Sequence, residues 1–313
     1  MAAPNGQSNE PPIGASPRQR LRALLRQPGL IVAPGAFDAL SARLIEQAGF
    51  AVVYMTGSGA ANSLLGQPDV GLTTMTEMAS QAARICAAVE LPVVADADTG
   101  YGGALNVRRT VQEYERAGVA GLHIEDQTFP KRCGHFAGKS VVSTEEGAAR
   151  IRAAIAARRD PDLVIIARTD AAAVEGLDAA LRRARAYEDA GADMLFVEAP
   201  HGVDELRAIG RSFRAPLIAN MVEGGATPIL PASELEAMGF KLVLHAGALL
   251  RASALAMQEV LAHIQEHRST LGIEHRLITF DERNRVTDLD GMLGWADQFA
   301  PDATVPPPRR GGR

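Results

Sequence analysis

Eight short apolar runs recur along the chain, each followed by a longer segment of helical period, and this alternation constrains the fold more than any other feature. The runs are LIVAPG (30–35), AVVYMTG (51–57), PVVADAD (92–98), GLHIEDQ (121–127), LVIIARTD (163–170), MLFVEAP (194–200), PLIANM (216–221) and KLVLHAG (241–247). Short β-rich runs separated by helices imply repeated βα units around a parallel sheet. In LDAALRRARAYEDAG (177–191), Leu181, Ala184 and Tyr187 share one stripe and Gly191 ends the helix. Eight units predict a closed α/β structure, a (β/α)8 TIM barrel, rather than an open doubly wound sheet. At 313 residues and 47% hydrophobic content the chain can bury one large core. We expect a single barrel with C-terminal helices over residues 17–300. Residues 1–16 and 301–313, rich in Pro and Gly and poor in large apolar side chains, are expected to be disordered tails.

Composition narrows the function. The net charge is -5 and no cluster of Lys and Arg is interleaved with aromatics, so a nucleic-acid partner is not expected. No apolar run reaches the length of a membrane span. The N-terminus also lacks the charged start and apolar middle of a signal peptide, so a cytoplasmic location is expected. Two cysteines, Cys86 and Cys133, cannot build a disulfide framework. No histidine pair has zinc-ligand spacing, and no glycine-rich stretch matches a nucleotide-binding motif.

In a barrel of this kind the chemistry sits at the C-terminal rim of the strands, and this rim is heavily loaded. The run ends carry Thr56 and Ser58, Asp96 and Asp98, Glu125 and Asp126, Arg168 and Asp170, Glu198, Asn220 and His245. Carboxylates gathered at one mouth are costly unless paired or bound to a cation. In ADADTGYGG, Asp96 and Asp98 are two apart and are expected to point the same way from a strand. Hard oxygen ligands suit Mg2+, with Mn2+ able to take its place: Asp98 as direct ligand, Asp96 and Glu125 through water. The alternative is a structural network in which these acids pair with Arg168 or with helix N-termini. In TGSGA, Thr56, Ser58 and successive backbone N–H groups form a bend suited to a carboxylate or oxyanion.

The stretch EDQTFPKRCGHFAGKSVVS is too long and polar for a tight barrel turn and reads as a mobile lid. Cys133 follows Lys131 and Arg132 and precedes Gly134 and His135, surroundings expected to lower a thiol pKa and permit proton transfer. Cys86, in AARICAAVE, reads as a small core residue. His123, inside its strand, is expected to be packed or to face the helices.

At PKRCGH the chain resembles the isocitrate lyase and phosphoenolpyruvate mutase superfamily. The likeness extends in order through PGAFDALSA, MTGSGAANSLLGQPDVG, DADTGYGG, HIEDQTFPKRCGH, ARTDA, GADMLFVEAP and NMVEGGATP. It implies a Mg2+-dependent barrel, usually a homotetramer whose eighth helix is exchanged between subunits. Thr56, Gly57 and Ser58 would receive the α-oxycarboxylate end of a small carboxylate substrate. Asp96, Asp98 and Glu125 would form the metal shell, with Asp69 nearby. Lys131, Cys133, Gly134 and His135 would close over the substrate, and Arg168, Glu198 and Asn220 would contact its carboxylates. The implied reaction is a carbon–carbon cleavage of a 2-hydroxy acid, with Cys133 as proton donor. Within the superfamily, GLHIEDQ, KRCGH and ARTDAAAVEGLDAA resemble 2-methylisocitrate lyases. PGAFDALSA, TFPKRCGH and NMVEGGATP are closer to 2,3-dimethylmalate lyase, the petal death protein and carboxyphosphonoenolpyruvate mutase. Methylisocitrate lyases usually carry Thr and Phe where this chain has Val222 and Gly224, which favours a substituted malate. A phosphonomutase and an oxaloacetate hydrolase are the alternatives.

Overall fold

The structure, a computed structural model, describes residues 14–300. The proposed C-terminal tail, and all of the N-terminal one except residues 14–16, lie outside the described residues. Ser16 caps the first helix. The described residues divide into two compact units, one ending at Ala254 and one starting at Leu255.

All eight apolar runs form strands. They are β1 (Ile31–Ala36), β2 (Val53–Met55), β3 (Val93–Asp96), β4 (Gly121–Glu125), β5 (Val164–Thr169), β6 (Met194–Val197), β7 (Leu217–Asn220) and β8 (Phe240–His245). Each pairs in parallel with the next, and β8 closes on β1 in the register Ile31↔Leu242 to Pro34↔His245. Closure pairs every strand on both sides, so neither face nor edge meets water, and the strands read as apolar runs without polar alternation.

Side-chain alternation divides the core into two layers. Ala33, Tyr54, Val94, Ile166, Phe196, Ile218 and Leu244 fill the barrel interior. Met55, Ala95, Leu122, Ile165, Leu195 and Val243 pack outward against the helices. The floor is closed by a helix that the strand pattern did not reveal, Pro17–Arg26. Its Leu21 is fully buried among the interior residues. Arg18 reaches the Val119 carbonyl and Asp160 at 3.0 and 2.8 Å, and Arg22 reaches Asp193 at 2.9 Å, so the loops beneath the strands are tied to this helix.

The second unit holds the C-terminal part of helix Ala248–His267, the helices Phe280–Val286 and Leu289–Asp297, and buried Ile273 and Val286. Among the described residues no helix is long and apolar enough to cross a membrane. We expect Leu21→Ala to destabilise the barrel by roughly 2–5 kcal/mol, the usual range for a fully buried leucine. A urea unfolding midpoint equal to that of the parent would show that the floor contributes nothing to the fold.

Candidate active site

The C-terminal ends of the strands converge on a cavity of about 150 Å3. Its lining includes Thr56, Ser58, Asp69, Asp96, Lys131, Cys133, Gly134, His135, Arg168, Glu198 and Asn220. A larger groove of about 390 Å3 lies on the outer helices between Met75 and Ala117 and contains none of these residues. Gly57, Asp98 and Glu125 stand just behind the lining.

At the end of β2 the expected bend is instead the start of a helix, Gly57–Leu65. Thr56 caps it, with Oγ1 accepting from the Gly59 N–H at 3.4 Å and lying 3.3 Å from Ser58 Oγ. The unpaired N–H groups of a first helical turn favour an anion. A Cβ at Gly57 would stand 2.2 Å from Asp96 Oδ2, so only glycine lets this helix start against the acid.

The expected geometry of the acid pair needs correction. β3 ends at Asp96, and Asp98 sits in the following turn at φ 47°, with its N–H donating to Asp96 Oδ1 at 2.8 Å. The two carboxylates therefore meet through a turn rather than along a strand. Asp69, Asp96, Asp98 and Glu125 are all buried. Burial, with Asp96 and Asp69 adding to it, raises the Asp98 pKa to about 6, and burial pushes Glu125 well above the usual carboxylate range. Glu125 Oε1 is buried without a hydrogen-bond partner. Among the described residues no group of three or more His, Cys, Asp or Glu side chains is arranged to hold a metal ion directly. The donor set nevertheless fits a hard cation with few direct protein ligands: buried carboxylates held up by desolvation, one with an orphaned oxygen.

The loop after β4 lies over these acids. Its stem is joined by the Gln127↔Val141 bridge and the bond from Thr128 N–H to the Ser140 carbonyl at 2.9 Å. The Gln127 side chain holds both the N–H and the carbonyl of Arg132, at 2.9 and 2.8 Å. Lys131 Nζ lies 2.6 Å from Asp69 and 2.5 Å from Asp98. Burial opposes its charge, but Asp98, Glu125, Asp96 and Asp69 hold its pKa well above the usual lysine range. The Cys133 N–H donates to the Asp69 carbonyl at 3.1 Å.

The expected lowering of the Cys133 pKa is overturned. Burial raises it, the one hydrogen bond near His135 does not compensate, and Lys131, its neighbour in sequence, is committed to the acids. The thiol is thus a proton store rather than a standing thiolate.

Opposite the loop, Arg168 binds both oxygens of Asp170, at 3.0 and 3.1 Å, and lies 3.4 Å from Glu125 and 3.9 Å from Glu198. It also covers the Phe196 ring at 5.2 Å. Glu198 receives Asn220 Nδ2 at 3.2 Å and lies 3.0 Å from His135 Nε2. Burial would raise the Glu198 pKa, but Arg168 and His135 keep it low.

Several site residues were missed in sequence. His123 is packed, one of the two expectations for it, but into the barrel interior beside the site, 3.0 Å from Tyr54 Oη and 3.7 Å from Asp96. Burial lowers its pKa to about 4, which keeps the ring neutral. Its two-residue offset from Glu125 carried that signal, since both lie on one face of β4. Leu250 and Arg251, at the start of helix Ala248–His267, line the cavity without any local motif. His245 ends β8 but does not line it.

The family model for phosphoenolpyruvate phosphomutase matches residues 21–265. Among similar curated proteins, 2,3-dimethylmalate lyase of Eubacterium barkeri is 46% identical over 271 residues, 87% of this chain and 94% of that protein. A probable 2-methylisocitrate lyase of Corynebacterium glutamicum is 48% identical over 273 residues, 87% of this chain and 88% of that protein. The chloroplastic carboxyvinyl-carboxyphosphonate phosphorylmutase of Arabidopsis thaliana is 44% identical over 278 residues, 88% and 82% of the two chains. Among solved structures, oxaloacetate acetylhydrolase with 3,3-difluorooxalacetate superposes with TM-score 0.88 at 38% identity, covering 92% and 99% of the two chains. 2,3-Dimethylmalate lyase gives 0.87 at 39%, covering 93% and 99%. Phosphonopyruvate hydrolase with oxalate and Mg2+ gives 0.82 at 32%, covering 92% and 99%.

The raised Cys133 pKa has a direct readout. Alkylation of the folded protein by iodoacetamide, followed at the Cys133 peptide, should keep accelerating beyond pH 9, because the thiolate forms late. A plateau below pH 8 would contradict the burial argument.

Proposed function

Because the chain belongs to the phosphoenolpyruvate phosphomutase family, within the superfamily of isocitrate lyase-type enzymes, we propose that it cleaves a substituted malate to an α-keto acid and a carboxylate. The chain is an enzyme of the lyase type by its relatives. The observation that carries the substrate reading is the apolar share of the cavity lining. There Val222, Ala246, Gly247 and Leu250 form an apolar surface that suits a methyl-bearing carbon. Two further cations line the cavity, and both are engaged: Arg251 with the Glu223 carbonyl at 2.6 Å, and Arg132 with the Ala137 carbonyl at 2.9 Å. Each keeps further N–H donors, so the charge of the lining does not select between a malate and a methylisocitrate, and the substrate reading rests on the apolar residues.

In this reading the Thr56 and Ser58 hydroxyls and the first N–H groups of helix Gly57–Leu65 hold the α-oxycarboxylate. Arg168 and Asn220 hold the distal carboxylate, and Glu198 orients Asn220 and His135. Asp98 would bind Mg2+ directly, with Asp96 and Glu125 holding its water and Asp69 close by. The ion, when bound, supplies Lewis-acid charge to the 2-oxygen. The substrate's 2-hydroxyl gives its proton to Asp96, a cavity-lining carboxylate whose pKa burial would raise but nearby positive charges hold down. The C2–O bond becomes a carbonyl as the C2–C3 bond breaks, and that bond's electron pair moves through C3 onto the departing carboxylate as an enediolate. The Cys133 thiol, protonated because it is buried, delivers a proton to that carbon. Lys131, His135 and the Gly134 backbone exclude water while the carbanionic fragment exists.

Hydrolysis of oxaloacetate is the second reading, supported by the likeness to oxaloacetate acetylhydrolase. A carbon–phosphorus mutase is the third, supported by the 44% identical phosphorylmutase. Purified protein with Mg2+ should turn over 2,3-dimethylmalate faster than 2-methylisocitrate, isocitrate or oxaloacetate. Preference for oxaloacetate would replace the lyase reading with the hydrolase. Asp98→Ala and exhaustive chelation should each abolish turnover. Cys133→Ser should lower kcat by roughly 100-fold or more with little change in inhibitor affinity. Cleavage within threefold of the parent would remove Cys133 from the mechanism.

A homotetramer that exchanges its last barrel helix is part of the proposal, as is a cytoplasmic location. In helix Ala248–His267, Leu255, Met257 and Leu261 are 57%, 57% and 64% exposed, which a lone chain would leave wet. Light scattering at micromolar concentration should report an oligomer, and a monomer there would overturn this part.

A further inference from the structure

Lys139 is a buried cation to which no step above assigns a role. Its side chain is 2% exposed and that of its partner Asp170 is fully buried, with Nζ 2.9 Å from Oδ1. Nζ also donates to the carbonyl of Gly134, five residues back in the loop. Asp170 is fixed independently: its N–H donates to Asp126 Oδ1 at 2.9 Å, and Asp126 receives the Thr169 and Tyr187 hydroxyls at 2.7 and 2.9 Å. Asp170 Oδ1 is shared, taking both Lys139 and Arg168 Nη2.

The ends of this contact differ in kind. Lys139 leaves the stem of the loop, beside the paired residues Ser140 and Val141, whereas Gly134 lies at the tip. The tip rests on the site itself. A Cβ at Gly134 would stand 2.5 Å from Arg168 Nη2 and 2.6 Å from Glu198 Cγ. An ammonium removed from water needs its protons satisfied, and here one partner belongs to the barrel and the other to the tip of the loop. Lifting the tip would cost a charge-assisted hydrogen bond while leaving the Lys139–Asp170 pair in place.

We propose that Lys139 is a positioning residue, a latch that holds the tip of loop 127–141 closed through the Gly134 carbonyl. Through Asp170 it ties that closure to the orientation of Arg168. The inference rests on the reading of this loop as the cover of the site, but it does not depend on which substrate is cleaved. Losing a hydrogen bond to a charged group shifts a closed–open balance by roughly tenfold or more.

The test uses the full chain with Lys139→Met, which keeps the stem's bulk without the charge, and Lys139→Gln, which keeps a neutral donor. Iodoacetamide labelling is read separately at Cys133 and at Cys86. Cys86, whose thiol burial pushes up to about 12, reports any general loosening. The expected result in Lys139→Met is Cys133 labelling at least tenfold faster, Cys86 unchanged, and an intermediate rate in Lys139→Gln. On the best substrate, kcat should fall at least tenfold with KM changed less than threefold. Cys133 labelled at the parent rate in a folded Lys139→Met protein overturns the latch, whatever happens to activity. If Lys139→Met loosens Cys86 as well, Lys139→Gln decides: Cys133 labelling faster than in the parent with Cys86 unchanged supports the latch, and the parent rate overturns it. Should the parent turn over no malate at all, the substrate reading fails while the labelling still decides the latch.

Discussion

Holding carboxylates out of water is the constraint on which the mouth of this barrel is built. Asp69, Asp96, Asp98, Glu125, Asp170 and Glu198 are all buried there. Each buried ion carries a penalty of several kcal/mol unless paired. The balancing cations come from two directions. Arg168 rises from β5 inside the barrel, and Lys131 and Lys139 come from the loop above. The position of that loop is therefore an electrostatic matter as much as a packing one, because Asp69 and Asp98 meet their ammonium only when it lies down. A divalent cation entering the same cluster would act on the same balance, which links metal, loop and substrate through shared carboxylates.

This arrangement explains why the thiol and the acids behave differently from what their neighbours in sequence suggest. Lys131 and Arg132 precede Cys133 but are turned away to Asp69, Asp98 and the Ala137 carbonyl. The local charge that would have stabilised a thiolate is spent elsewhere. A proton donor to a carbanion needs this protonated state, so burial serves the proposed chemistry.

The fold was legible because burial on both faces turns each parallel strand into a plain apolar run, and eight such runs leave little choice of architecture. The rim was legible too, since carboxylates at run ends are conspicuous. What was not legible depends on contacts between distant segments. Helix Pro17–Arg26 fell inside the expected fold, but nothing local shows that its arginines tie the loops beneath the strands. The Asp96–Asp98 spacing suggested a strand, but a positive φ at Asp98 makes it a turn, and no residue type there announces that. Lys139 looks like any loop lysine until Asp170, 31 residues on, is placed beside it.

The floor helix has a consequence for traffic. With Leu21 seated among the interior side chains, the described residues plug the barrel at its floor, and the site opens at the loop-covered mouth. Under the proposed cleavage one guest would become two beneath a single cover, and the fragments would depart in a queue. The one that leaves last is the one that meets the next substrate head-on, and its inhibition pattern therefore records which half of the molecule lay deeper.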